Sequence, residues 1–168
     1  MLQKSFYGIL WLGLMTWLIG CGPVAAPSEP SGPIPVHTNG VIFPAALVEL
    51  EWENWQPWLG FPATDFWTPS LANIETLEAD LPIFLQTAQD PWLRPDPPIW
   101  ERMPAYNRQY LGYNDHLIYA NFFCTAPNDN WQQEVTLVLV LDGGDCFFSV
   151  TYDLETRQFS NLRVNGEA

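Results

Sequence analysis

The sequence predicts an α+β domain, with one proline-interrupted, kinked helix packed on an antiparallel sheet of about four to five strands. Three observations predict it. Apolar residues recur at helical spacing from Leu71 to Ala88, and short runs after Arg108 alternate apolar with polar residues. The dipeptides Asn114-Asp115 and Gly143-Gly144, both turn formers, separate those runs.

The helix starts where Thr68 can serve as N-cap and Pro69 can take the first helical position, at which a missing N–H costs nothing. Leu71, Ile74, Leu77, Leu81, Phe84, Leu85 and Ala88 then form one stripe, opposite Glu75, Glu78 and Asp80. Pro82 offers no N–H to the carbonyl of Glu78, so a kink is expected there. The proline-dense run 89–104 cannot continue as helix and reads as an ordered loop around Trp92 and Trp100.

The strands follow. Residues 108–113 and 116–124 read as a hairpin with a two-residue turn, placing Leu111 opposite Ile118. Residues 126–133 form a long connection. Residues 134–141 and 146–153 read as a second hairpin about Gly143-Gly144, with Leu141 opposite Cys146, Leu139 opposite Phe148 and Leu137 opposite Val150. Residues 157–164 close the sheet. One helix on such a sheet resembles the cystatin arrangement, an analogy of fold alone.

Ahead of this unit, residues 41–66 form a lead-in dense in tryptophan. Trp52, Trp55 and Trp58 recur every third residue, so on a helix they would share a face able to stack on sugar rings or grip a partner. The competing expectation is that so much aromatic area wraps over the domain and fills its core. Glu51 and Glu53 beside them are the paired carboxylates that an enzyme acting on envelope sugars would need.

The first residues carry an address. Lys4 precedes an apolar run from Phe6 to Ile19, shorter than a spanning helix needs, and the run ends in Gly20 and Cys21. The ending Leu18-Ile19-Gly20-Cys21 resembles the lipobox of bacterial lipoproteins. That resemblance implies a signal peptide over residues 1–20 and a mature chain opening at Cys21, its sulfur carrying diacylglycerol and its amine a fatty acid such as palmitate. Two or three buried chains suffice for stable anchoring, where one is marginal. Residues 21–40 then read as a disordered tether rich in proline, glycine and serine, with His37 solvated in it, and residues 41–168 as one globular domain.

The formal net charge of −13, from 19 acids against 6 cations, repels phosphate backbones and excludes nucleic acid as a partner class. The expected partners are the membrane, through the lipid, and an envelope protein or glycan. No pattern in the sequence calls for a cofactor.

With Cys21 consumed by lipid, Cys124 and Cys146 remain, and an exported pair is expected to form a disulfide. The pairing makes a topological demand. In a plain meander the two would lie roughly 20 Å apart, at about 3.3 Å per residue over a seven-residue strand. The bridge therefore requires a different strand order, and one that permits it sets the strand ending at Cys124 antiparallel beside the one beginning at Cys146, with the connection after Cys124 crossing back along the sheet. A catalytic Cys146 would need His116 as its base, and nothing beyond the glycine pair hints at an oxyanion hole. Asp142 and Asp145 flank that pair and are weak candidates for a hard cation, two carboxylates being too few.

From Trp67 onward the chain resembles a small family of exported bacterial proteins. The residues that carry this are "WTPS" at Trp67, "RQYLG" at Arg108, "NFFC" at Asn121, Trp131, "DGGDCFF" at Asp142 and the terminal "NLRVNGEA". The resemblance implies a core over 67–168 and brings no chemistry with it. The function expected is protein binding or scaffolding by a lipid-anchored extracytoplasmic domain. The alternative is an envelope enzyme or a module that binds carbohydrate or peptidoglycan through the tryptophans.

Overall fold

The computed structural model of the chain describes residues 32–36 and 39–166. Seven strands form one mostly antiparallel sheet: β1 (Ile34–Val36), β2 (Gly40–Ile42), β3 (Phe66–Trp67), β4 (Asn107–Tyr113), β5 (Leu117–Phe123), β6 (Phe147–Asp153) and β7 (Gln158–Val164). Their order is β1-β2-β4-β5-β6-β7, and β3 pairs with β4 on the edge that β2 also uses; only the β2–β4 pairing is parallel. Three helices complete the architecture: α1 (Ala45–Leu59), α2 (Leu71–Thr87) and α3 (Ile99–Arg102). The fold is α+β, as the sequence predicts. Among the described residues no helix is long and apolar enough to cross a membrane.

The sheet is covered on both faces, not one. Because strand side chains alternate, Tyr110, Ile118, Phe122, Phe148, Val150 and Tyr152 meet Ile74, Leu77, Leu81 and Leu85 of α2. The opposite positions Leu111, Tyr113, Tyr119 and Phe123 meet Leu47, Val48, Trp55 and Leu59 of α1. Each of those buried leucines contributes on the order of 2 kcal/mol by leaving water. The two helices therefore sandwich the sheet, which separates this fold from the cystatin analogy of a helix on one face.

Several local expectations are corrected. The N-cap of α2 is Ser70, which forms a capping box with Asn73; Thr68 instead accepts the N–H of Ala45 at 2.9 Å and so caps α1. Helix α2 does not restart at Pro82 but continues through it to Thr87. The β4–β5 turn has three residues, with Asn114 and Asp115 at positive φ. Leu111 therefore faces Tyr119, one residue from the expected register. Thr64 and Asp115 fix that turn by donating their N–H groups to Asn114 Oδ1 and Asp65 Oδ1, at 2.9 and 3.0 Å. The expected tether over 21–40 is cut back at its end, since Ile34–Val36 and Gly40 belong to the sheet.

Residues 134–141 are not a strand of the sheet. β6 takes β5 as its neighbour along seven paired positions, so the predicted hairpin about Gly143-Gly144 has no edge to occupy. The segment lies across the α1 face, where Leu137 is buried beside Phe123 and Trp131. Gly143 and Gly144, at φ 96° and 59°, lead from it into a single 3-10 turn that starts β6. A Cβ at Gly143 would meet the Phe147 ring at 2.8 Å, so side-chain-free backbone is needed here.

Candidate functional site

A row of buried polar residues, Gln109, Asn121 and Ser149, crosses the α1 face at one level because their strands place them side by side. Gln109 donates to the carbonyl of Thr136 at 2.9 Å and accepts the N–H of Val138 at 2.8 Å. Asn121 donates to the carbonyl of Val138 at 2.7 Å and to Gln109 at 3.1 Å. Two side-chain amides thus act as the strand neighbour that residues 136–138 lack, and partner backbone groups of that partly buried segment.

This anchoring builds a cleft. One wall is the run Val138–Leu141, the other is the end of β7 with the residues after it, Arg163 to Gly166, and Tyr119, Phe147 and Trp58 complete the lining around about 240 Å³. A second cavity of about 420 Å³, under Phe61 and Pro62, shares Tyr119, Ser149 and Arg163 with the first. Arg163 donates to the carbonyls of Leu59 at 2.8 Å and Trp58 at 3.2 Å, closing the C-terminus of α1 with a cation where the helix dipole favours one. Gly60 takes the left-handed conformation just beyond, at φ 73°. Burial pushes the Tyr119 hydroxyl up from its ordinary range, with the Ser149 hydroxyl and Arg163 partly offsetting it.

The tryptophans divide. A three-residue step falls about 60° short of a full helical turn, so Trp52 and Trp58 sit about 120° apart around α1. Trp55 is buried against Phe43 at 5.1 Å, and Trp52 is half-buried between Phe61 and Phe66. Trp58 is 53% exposed and alone of the three lines a cavity. The three-tryptophan platform is not assembled. Glu51 accepts from Asn54 at 3.0 Å, Glu53 is exposed, and neither lines either cavity.

Cys124 and Cys146 form a disulfide, with Cα atoms 5.0 Å apart. His116 lies at the opposite end of β5 from Cys124, 3.9 Å from Asp153, so the Cys146–His116 pair that catalysis would require does not exist. Asp142 is exposed, whereas Asp145 is fully buried between guanidinium groups. Arg94 Nε donates to it at 2.7 Å and the Arg94 N–H at 3.0 Å, Arg102 grips the other side, and Tyr106 donates to the Asp145 carbonyl at 2.6 Å. Burial alone would push the Asp145 carboxyl up, but the two arginines outweigh it and hold it below the usual carboxylate range. The two aspartates are therefore not a cation pair, and among the described residues no three potential metal ligands converge. Cys21, the expected lipid attachment point, lies outside the described residues.

Arg163, Tyr119 and Gln109 enter the site without having been singled out. The only sequence signal for them is their place on the face of their strands that also carries Leu111 and Phe123. Compared with family models, curated proteins and solved structures, the chain matches none.

Proposed function

We propose that the protein is a lipid-anchored, extracytoplasmic domain of the bacterial envelope that binds a protein partner through the cleft under Trp58. The address is supported by Lys4, the apolar run 6–19 and the lipobox-like ending at Cys21, and a disulfide suits an oxidising compartment. The observation that carries the binding role is Trp58, a half-exposed indole over a formed cleft, flanked by exposed Leu139 and Leu141. Among the described residues, nothing lining that cleft forms a nucleophile, base and orienting group. Co-purification of the tagged chain from its native envelope tests the reading. A partner retained by wild type and lost by Trp58→Ala supports it, and a set of co-purifying proteins unchanged by Trp58→Ala contradicts it.

A second reading rests on the same indole, whose face suits a sugar ring, with Asn165 and Ser149 as polar groups lining the same cleft. Binding to purified peptidoglycan sacculi that disappears in Trp58→Ala would favour it over a protein partner.

A further inference from the structure

Positive charge is scarce in this chain, and almost all of it is neutralised. Of the five arginines among the described residues, Arg94 and Arg102 share Asp145, Arg108 pairs with Glu78 at 2.9 Å, and Arg157 grips Asp80 at 2.6 Å. Arg163 is the exception among the described residues, with no carboxylate in ion-pairing range. Its NH1 group is committed to the carbonyls of Leu59 and Trp58, which fixes the guanidinium at the junction of the two cavities. Its Nε and NH2 groups make no hydrogen bond to the described residues.

The surroundings sharpen this. Among the described residues, neither cavity touching Arg163 has an aspartate or glutamate in its wall, although the chain holds 19 acids. The cavities beside α2 do contain acids: Asp90, Asp80 and Glu78. A cleft with no acid in its described wall and one guanidinium unpaired with carboxylate among the described residues is the place on this acidic surface best suited to an anion. The rest of its wall mixes Trp58, Tyr119, Phe147 and Leu139 with the polar side chains of Asn121, Ser149 and Asn165, so the anion it suits carries an apolar part beside hydrogen-bonding groups. One wall, at Arg163 and Val164, is the end of β7, an edge strand of the sheet, and such an edge suits an extended chain better than a compact ring.

We propose that the cleft binds the C-terminal carboxylate of a peptide whose last residue is apolar or aromatic. Arg163 receives the carboxylate through charge-assisted hydrogen bonds, and the last side chain lies against Trp58 and Phe147. This rests on the cleft being the binding surface, and it names what is bound there.

The test uses the full-length chain in detergent micelles with three probes: N-acetyl-alanyl-alanyl-phenylalanine with a free carboxylate, the same peptide as its amide, and glucuronate. The free acid is expected to bind about tenfold or more tighter than the amide. Arg163→Gln removes that preference, Arg163→Lys keeps part of it, and Trp58→Ala weakens acid and amide alike. Should Arg163→Gln fold poorly for want of its α1 contacts, salt titration of wild type takes its place, weakening the acid and sparing the amide. Absence of peptide binding, equal affinity for acid and amide, or a preference that survives both Arg163→Gln and high salt overturns the proposal. Glucuronate displacing the peptide acid at equal concentration also overturns it, in favour of a sugar acid. A partner lost from envelopes by Trp58→Ala while no peptide binds would remove the ligand class and leave the binding surface standing.

Discussion

Cys124 and Cys146 are 22 residues apart in the chain yet 5.0 Å apart between Cα atoms, and the N–H of Cys124 donates to the carbonyl of Cys146 at 2.9 Å. The bridge sits at the shared end of β5 and β6, so residues 125–145 leave the sheet and return to the point of departure. That excursion covers the α1 face and supplies one wall of the cleft.

Removing the bridge by Cys124→Ser with Cys146→Ser is therefore expected to cost about 3 kcal/mol, the value for closing a loop of this length in the unfolded chain. Urea titration measures it. The loop 125–145 should also become the first site of limited proteolysis, and unchanged cleavage there would contradict the role given to the bridge.

Asp145 ties the loop 89–104 to the start of β6 through Arg94 and Arg102. Asp145→Asn leaves two guanidinium groups facing a neutral amide, one of them largely buried, and is expected to destabilise by about 3 to 5 kcal/mol. Arg94→Gln should cost far less, since that side chain is half exposed. Equal costs for the two would show that Asp145 is not the centre of the cluster.

Acid should unfold the domain from a defined pH. Three carboxyls sit below their ordinary range. Asp80 is lowered by hydrogen bonds from Arg157 and then Tyr152, Asp153 chiefly by the N–H of Thr156, and Asp145 by its two arginines against the cost of burial. A folded pKa below the unfolded one gives stability that is complete above about pH 4 and disappears as pH falls toward the folded values. Melting temperature should be flat from roughly pH 7 to 5 as regards these groups and drop below about pH 4. Asp145→Asn should flatten part of that drop.

Gln109 is fully buried and holds Thr136 and Val138. Gln109→Leu takes the side-chain partner from both backbone groups, of which the Val138 N–H is the more buried, so a loss of roughly 1 to 3 kcal/mol is expected, with faster amide exchange at Val138. A leucine variant as stable as wild type would mean that the segment 136–138 is held by packing alone.

How much of this was legible in the sequence depended on whether a signal was local. Helix α2, the β4–β5 hairpin and the β6–β7 strands announce themselves by period, and the two cysteines led to the correct neighbour for β5 because a bond of fixed length constrains topology. The alternation in 134–141 does mark a segment that buries Leu137 on one side. Which partner satisfies its backbone is a tertiary matter, and here the partners are the amides of Gln109 and Asn121, ordinary strand residues in isolation. Ser70 displaced Thr68 as cap because Asn73 completes its capping box, while Thr68 was drawn to α1, a helix distant in the chain. Arg163 gave no local sign, since its importance lies in the absence of acids around it, which only the fold decides.

The central claim is that this domain is exported, lipidated at Cys21 and held oxidised in the envelope, where the cleft can meet a partner. Intact mass of the protein purified from its native membrane, before and after reduction, tests it most directly. The account predicts a chain beginning at Cys21, heavier than its residues by diacylglycerol with or without one further acyl group, and gaining two hydrogens on reduction. A chain that retains residues 1–20, or one that begins elsewhere without lipid, would contradict it.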